Sequence, residues 1–362
     1  MGLATAALLQ QSIDHKQKRI PKTINQIIMS TATMSKPTTK VVPFASDPHL
    51  DSGVKAYLKL LNASDGPPMQ EMDPYDAKKL FENLQASVKV NLSGIEESEK
   101  TITADGFTVK LNIVRPEGER GILPVFIFIH GGGWILGDYP THKRMVRDLV
   151  VLSGAAAVFV NYTRTPDAAF PQAINEIYAA TKWVAEHGNE INVDGKRLAV
   201  VGNSVGGNMT AVTTLKAKES SGGPSIKLQI MLWPIVDANF ETESYKVFGQ
   251  DRFLTTPLMK WMYDMYIKDP AQRKQIYASP LQASVAQLRG LPPTLIQVAE
   301  NDVLRDEGEA YGRKLDEAGV NVTCIRYNGM IHDFGLLNGL AEVPAVKSLF
   351  IHAAAELKRY LA

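Results

Sequence analysis

From about residue 90 onward the chain alternates short apolar runs with amphipathic stretches, and this alternation limits the fold more than any other feature. The runs are "DGFTVKLNIVRP", "LPVFIFIH", "AAAVFVNY", "RLAVVGN", "IKLQIMLWP", "PTLIQVAEND" and "NVTCIRYNG". Several are apolar at nearly every position, as strands must be when helices cover both faces of their sheet. Helical spacing fills the gaps. Ile174, Ile177, Tyr178, Thr181 and Val184 share one face before Gly188, and Val346, Leu349, Phe350, Ala353 and Leu357 share another near the C-terminus. Strand and helix in turn predict an α/β fold with a mostly parallel central sheet flanked by helices. In such a sheet, ligands bind beyond the carboxyl ends of the strands. The residues just after each strand therefore carry the most information.

Composition narrows the function classes. The 362 residues are 45% hydrophobic and 21% charged with net charge +1, ordinary for a soluble globular protein. Near-neutral charge gives no electrostatic ground for nucleic acid or an anionic membrane surface. No stretch reaches the roughly 18–20 apolar residues that cross a bilayer. The single cysteine, Cys324, excludes an intrachain disulfide, and its place in "VNVTCIRY" predicts a small core residue rather than a nucleophile. The expected location is the cytoplasm. The N-terminus "MGLATAALLQQSIDHKQKR" makes a weak secretion signal, with no basic residue before its apolar patch.

Residues 1–40 are polar and unpatterned and read as a flexible leader. Residues 41–90 predict two helices: one bearing Leu50, Val54, Tyr57, Leu58 and Leu61, the other capped by Asp73, opened by Pro74 and bearing Ala77, Leu80, Phe81 and Leu84. The interval between "LWP" and "PTLIQVAEND" is too long for a simple crossover. Within it Thr256 and Pro257 open a helix bearing Leu258, Trp261, Met262, Met265 and Tyr266, a stripe that plain packing explains as well as a ligand wall. The expected organisation is N-terminal cap helices at 41–90, a catalytic domain at 91–236 and 277–362, and a cap insertion at 237–276 that joins the N-terminal pair as a lid over the strand ends.

Four groups follow four different strands: His130-Gly131-Gly132-Gly133-Trp134, Gly202-Asn203-Ser204-Val205-Gly206-Gly207, Asp302 and His332. A parallel sheet brings all four to one edge. The glycines around Ser204 do not suit phosphate, because no lysine follows them and the G-x-G-x-x-G spacing is missing. G-x-S-x-G between strand and helix is a nucleophile elbow, in which a sharp strained turn thrusts the hydroxyl outward. By itself it fits an incidental tight turn equally well. Its company separates the two. A serine hydroxyl needs an adjacent base, histidine suits neutral pH, and a buried carboxylate holds the ring's tautomer. Ser204, Asp302 and His332 stand in that chain order. Asp306, with Glu309 three residues on, reads instead as a helix cap. His130 precedes the serine and is expected to brace the glycine run. Those glycines let backbone N–H groups reach a developing oxyanion without side chains intervening.

Together "HGGGW", "GNSVGG", "DVLRDEG" and "GMIHDF" resemble the hormone-sensitive-lipase-like branch of the α/β-hydrolases, the bacterial family IV esterases, from about residue 45 to the C-terminus. The resemblance implies Ser204 as nucleophile, His332 as base, Asp302 as orienter, Gly132, Gly133 and Val205 as oxyanion donors, a helical cap, and no metal or organic cofactor. Three positions depart from it: Asn203 stands where the family usually has aspartate, Val205 where it has alanine, and Asp167, a mild change, where it often has glutamate. Asn203 keeps hydrogen-bonding capacity without a charge, and Val205 adds bulk beside the oxyanion donor. The expected activity is a serine carboxylesterase for short- to medium-chain acyl esters, with Trp134, Phe334, Met69 and Met72 as pocket residues by position. An amidase, lactonase or deacetylase would use the same triad. A non-catalytic small-molecule receptor on this fold is the reading from another class, and the presence of His332 counts against it. The partner is a small-molecule ester, and pairing of two copies as a homodimer is left open.

Overall fold

The apolar runs pair into one eight-stranded sheet, and the order of its strands decides which loops meet. The computed structural model describes residues 41–63 and 66–362. The flexible leader and weak secretion signal expected for residues 1–40 lie outside the described residues. Helix α1 (Ser52–Leu61) begins where the Asp51 carboxylate accepts the N–H groups of Gly53 and Val54, and it buries Val54 and Leu58. Helix α2 (Pro74–Ala86) begins in the same way, with Asp73 accepting from Tyr75 and Pro74 in the first turn. Both caps satisfy donors that a helix start leaves orphaned.

The sheet follows. β1 (Ile95–Ala104) and β2 (Phe107–Pro116) form a hairpin, then β3 (Leu123–Ile129), α3 (Tyr139–Ser153), β4 (Ala156–Asn161), α4 (Gln172–His187), β5 (Val193–Asn203), α5 (Val205–Glu219) and β6 (Ile226–Leu232) alternate. Helices α6 (Glu243–Phe248), α7 (Thr256–Tyr266) and α8 (Val285–Leu288) precede β7 (Thr294–Asn301), α9 (Arg305–Glu317), β8 (Val322–Ile331) and α10 (Pro344–Leu361). The strand order is β1-β2-β4-β3-β5-β6-β7-β8. The pairs β1–β2 and β2–β4 are antiparallel and every other pair is parallel. The mostly parallel sheet, its flanking helices and additional helical elements suited to a cap match the expected fold class.

Two expectations need correction. The sequence reading began the sheet at residue 105 and missed β1. Four of the ten residues in its sequence, "IEESEKTITA", are charged, and only Ile102 is buried, so no apolar alternation marks it. The available signal was Asp105-Gly106, which turn the hairpin with φ of 49° and 83°; Asp-Gly is a favoured two-residue hairpin loop. Cys324 is exposed rather than part of the core. It lies on the outermost strand opposite Gly312 of α9, which has no side chain to cover it.

Helix α7 starts where the Thr255 hydroxyl accepts the Leu258 N–H, and it buries Leu258, Met259, Met262, Tyr263 and Tyr266. Trp261 and Met265, from the expected stripe, are only partly buried. Helix α2 is pinned to the loop after β8 by one buried amide. Gln85 donates to the carbonyls of Thr141 (2.8 Å) and Leu336 (3.0 Å) and accepts the Asn338 N–H at 3.0 Å. Unsatisfied buried groups cost about 1–3 kcal/mol each. Gln85→Ala should therefore destabilise the fold by about 2 kcal/mol or more, read as a lower urea midpoint with an unchanged slope.

Candidate active site

The elbow is built by close backbone approach. β5 ends at Asn203 and α5 begins at Val205. Ser204 between them has φ 55° and ψ −119°, a strained state costing on the order of 1–3 kcal/mol. The glycines make the turn feasible. A Cβ on Gly206 would collide with the Ile129 carbonyl oxygen, and one on Gly202 with the Gly206 carbonyl oxygen. A Cβ on Gly207 would lie 2.7 Å from the Pro234 Cβ. Backbone bonds tie the turn to the end of β6: Ser204 N–H donates to Leu232 (2.9 Å) and Ile235 N–H to Ser204 (3.2 Å).

The structure brings Ser204, His332 and Asp302 together. Asp302 follows β7 and His332 follows β8. The imidazole Nε2 lies 3.1 Å from Ser204 Oγ, and Nδ1 lies 2.7 Å from Asp302 Oδ2. With Nδ1–H donating to the carboxylate, Nε2 is left to accept the serine proton. Asp302 Oδ1 accepts the Leu304 N–H at 3.0 Å, which holds the carboxylate in place. The three residues are 4%, 2% and 2% exposed. Burial alone pushes the His332 imidazole down. The carboxylates of Asp302 and Asp333, with the Asp302 hydrogen bond, more than reverse this and raise it above 6.5. Asp306, the rival carboxylate, does not meet the histidine. It is not the cap of its helix either: it accepts the Ser244 N–H at 2.8 Å and pairs with Arg305.

The glycine run curls against this centre. Gly132, Gly133 and Trp134 have φ of 105°, 63° and 61°, and the Gly132 carbonyl accepts from Ile135 and Leu136 N–H at 3.1 and 2.7 Å. A Cβ on Gly133 would collide with the Met262 sulfur, so α7 rests on the loop. His130 braces the run from behind: Nδ1 donates to the Gly131 carbonyl at 2.8 Å, and the ring stacks on Tyr162 at 4.1 Å. Tyr162 Oη–H donates to the His130 carbonyl at 3.0 Å.

Of the four pocket residues expected by position, two are packed rings. Trp134 stacks on Tyr266 at 4.4 Å and meets Tyr263 edge-on. Phe334 is fully buried against Trp233 and Tyr327. Met69 and Met72 are half-buried at the short turn Met69–Glu71, which packs on α7. The sequence reading gave no role to Asp333 or Trp233. Trp233 Nε1–H donates to Asp333 Oδ1 at 2.7 Å, and Asn203 Nδ2–H donates to the same oxygen at 3.2 Å. The unusual amide at 203 was the available signal, since a buried amide beside Ser204 needs partners for both ends. Among the described residues, no group of three or more His, Cys, Asp or Glu side chains is arranged to hold a metal ion.

Comparison with known proteins agrees with this geometry. The family described as having the alpha/beta hydrolase fold matches residues 126–336. A thermostable esterase from Pseudomonas putida of known structure superposes with a TM-score of 0.86 at 59% identity, covering 87% of this chain and 99% of that one. An ethyl acetate hydrolase of Pseudomonas putida is 31% identical over 303 residues, 81% of this chain and 94% of that protein. A carboxylesterase of Mycobacterium tuberculosis is 33% identical over 265 residues, 73% and 82% of the two chains. The chain belongs to the α/β-hydrolase family and is related to its hormone-sensitive-lipase-like bacterial esterases. It is a serine esterase acting on small-molecule esters.

Gly133→Ala tests the seating of the glycine loop under α7. Turnover of a p-nitrophenyl ester should fall at least about tenfold, as for a misplaced oxyanion donor. Adding Met262→Ala should recover only part of the loss, because the left-handed φ still costs about 1–2 kcal/mol.

Proposed function

We propose that the chain is a carboxylesterase for short- to medium-chain acyl esters, with Ser204 as nucleophile, His332 as general base and Asp302 as the group that orients the ring. The observation that carries this reading is the single imidazole bridging Ser204 Oγ at 3.1 Å and Asp302 Oδ2 at 2.7 Å. Ser204 Oγ attacks the ester carbonyl as Nε2 takes its proton. The carbonyl π electrons move to oxygen, which is received by the N–H groups of Gly132, Gly133 and Val205. Donors of this kind are worth about 3–4 kcal/mol each. Collapse of the intermediate expels the alcohol, protonated by the imidazolium, and leaves an acyl-serine. Water repeats the sequence with the same base, releasing the acid and restoring the serine.

The preference for short acyl groups is supported by the closed setting of Ser204, by Met262 and Trp134 packed at the glycine loop, and by the ethyl acetate hydrolase relative. In the same proposal, residues 41–90 and 237–276 form the cap, and residues 91–236 and 277–362 the catalytic domain. The chain works in the cytoplasm, and two copies can pair. β8 stands at one end of the sheet, and among the described residues no further strand pairs with its outer edge, the face such a pair would use. No helix among the described residues is long and apolar enough to cross a membrane.

A p-nitrophenyl ester series on the wild type and Ser204→Ala tests the assignment. Activity should peak at short acyl chains and fall by about 10⁴-fold or more in the variant; undiminished turnover in the variant would refute it. The base must be neutral to accept a proton, and its pKa is raised above 6.5. The acid limb of kcat/KM should therefore be centred above pH 6.5, with activity lost as pH falls through it. A limb centred below that value would count against His332 as the base.

A further inference from the structure

Asp333 is a buried carboxylate that the triad does not use. It follows His332 directly, has φ 57° and is 4% exposed. Its Oδ1 accepts from Trp233 Nε1 at 2.7 Å and from Asn203 Nδ2 at 3.2 Å. Its Oδ2 lies 3.9 Å from His332 Nε2, the nitrogen that faces Ser204. Asn203 Oδ1 in turn accepts the Gly131 N–H at 3.0 Å. One amide thus joins the loop after β3, the elbow after β5 and the loop after β8. The fit is close, since a Cβ on Gly131 would lie 2.5 Å from Asn203 Nδ2.

These bonds dictate the chemistry of both positions. Residue 203 must accept at one end and donate at the other while its neighbour is ionised, which among planar side chains of this size an amide does. A carboxylate there would still accept from Gly131 but would meet the Asp333 oxygen at hydrogen-bond distance. Two carboxylates that close cannot both stay ionised. Exchanging the two groups does not restore the pattern, because Trp233 and residue 203 meet the same oxygen of residue 333: an amide there accepts from Trp233 or donates to a carboxylate at 203, not both. The bonds therefore require an amide at 203 and an acceptor oxygen at 333.

We propose that Asp333 is a positioning residue for ester hydrolysis: through Asn203 it sets the Gly131 loop against the elbow, and its Oδ2 steadies the protonated imidazole of His332. The proposal rests on the reading of Ser204 and His332 as nucleophile and base. The other ionisable groups around this pair are Asp302, on the far nitrogen of the ring, and Tyr57 of α1. The Tyr57 phenol is pushed up to about 12, first by burial and then by Asp333, so it stays neutral. Burial also pushes the Asp333 carboxyl up, and His332 with the bonds from Trp233 and Asn203 opposes that.

The test compares wild type, Asp333→Asn, Asn203→Asp and the double variant by pH profile, thermal midpoint and fluorophosphonate labelling of Ser204. Asp333→Asn removes charge while leaving an acceptor for Trp233 and Asn203. A negative charge beside the ring favours the imidazolium, so the acid limb of kcat/KM should move to lower pH. Its kcat should fall about tenfold with little change in KM, as for an interaction made in the transition state. Asn203→Asp should lose at least as much, because its carboxylate meets the Asp333 oxygen without a donor, and the double variant, which relieves that repulsion, should lose less than the product of the two single losses, the non-additivity of a directly bonded pair. An unmoved limb in Asp333→Asn would overturn the proposal and leave Asp333 a purely structural group. A double variant whose loss equals the product of the two single losses would also overturn it. If Asn203→Asp does not fold, Asn203→Ala takes its place in the same cycle, with the same two outcomes. Labelling separates this test from the functional reading: a wild type that is not labelled at Ser204 defeats that reading, whatever the Asp333 variants do.

Discussion

The carbonyl oxygen of Ile129 lies against the α-carbon of Gly206 with no room for a side chain between them. This contact, more than any polar one, sets the geometry of the site. It brings the end of β3 and the first turn of α5 within one atom's thickness. The glycine loop after β3 and the serine after β5 then have to share one small space. The strain at Ser204 is the local consequence, and the buried sheet on either side sustains it. Val200, Val201, Phe128 and Ile129 are fully buried, so the strands cannot shift to relax the turn.

Electrostatics acts on that frame rather than creating it. An imidazole this deeply buried would by itself resist protonation, yet the reaction requires it to hold a proton briefly. Unit charges about 4 Å apart interact by roughly 4 kcal/mol at an effective dielectric of 20. That is enough to offset desolvation when two carboxylates flank one ring. Asp302 provides a direct hydrogen bond and the tautomer, and Asp333 a second charge across space. The two carboxylates differ in how they are held: Asp302 by a backbone N–H of its own loop, Asp333 by side chains from two other strand ends. Asp333 therefore links loop positions as well as charges.

Helix α7 reaches the same site through apolar contact. Met262 rests on Gly133, and Tyr266 stacks on Trp134, so one helical face touches two of the three loop residues with positive φ. Trp134 was expected as a pocket residue because of its position after the glycines. In the structure its ring stacks on Tyr266 and so binds the loop to α7. The apolar packing of α7 therefore reaches the glycine loop itself.

The alternation of apolar runs and helical stripes was legible in the sequence because a buried parallel strand leaves no polar positions to confuse the pattern. So were the three chemical groups, because each stands immediately after a strand and each side-chain type suits one task in acyl transfer. The hairpin strand β1 escaped notice because its faces are largely solvated and burial imposed no pattern on it. Cys324 was misread because its type suggests a core residue, while its exposure depends on a glycine in another helix. Strand order, the packing of Trp134 and Phe334, and the bonds joining Asn203, Trp233 and Asp333 came only from the tertiary structure. The physical reason is separation: Asn203 and Asp333 lie 130 positions apart, and no local propensity records which side chain will face a buried amide. Sequence determined the kind of sheet and which groups stand at its strand ends; tertiary packing decided which neighbours hold those groups still.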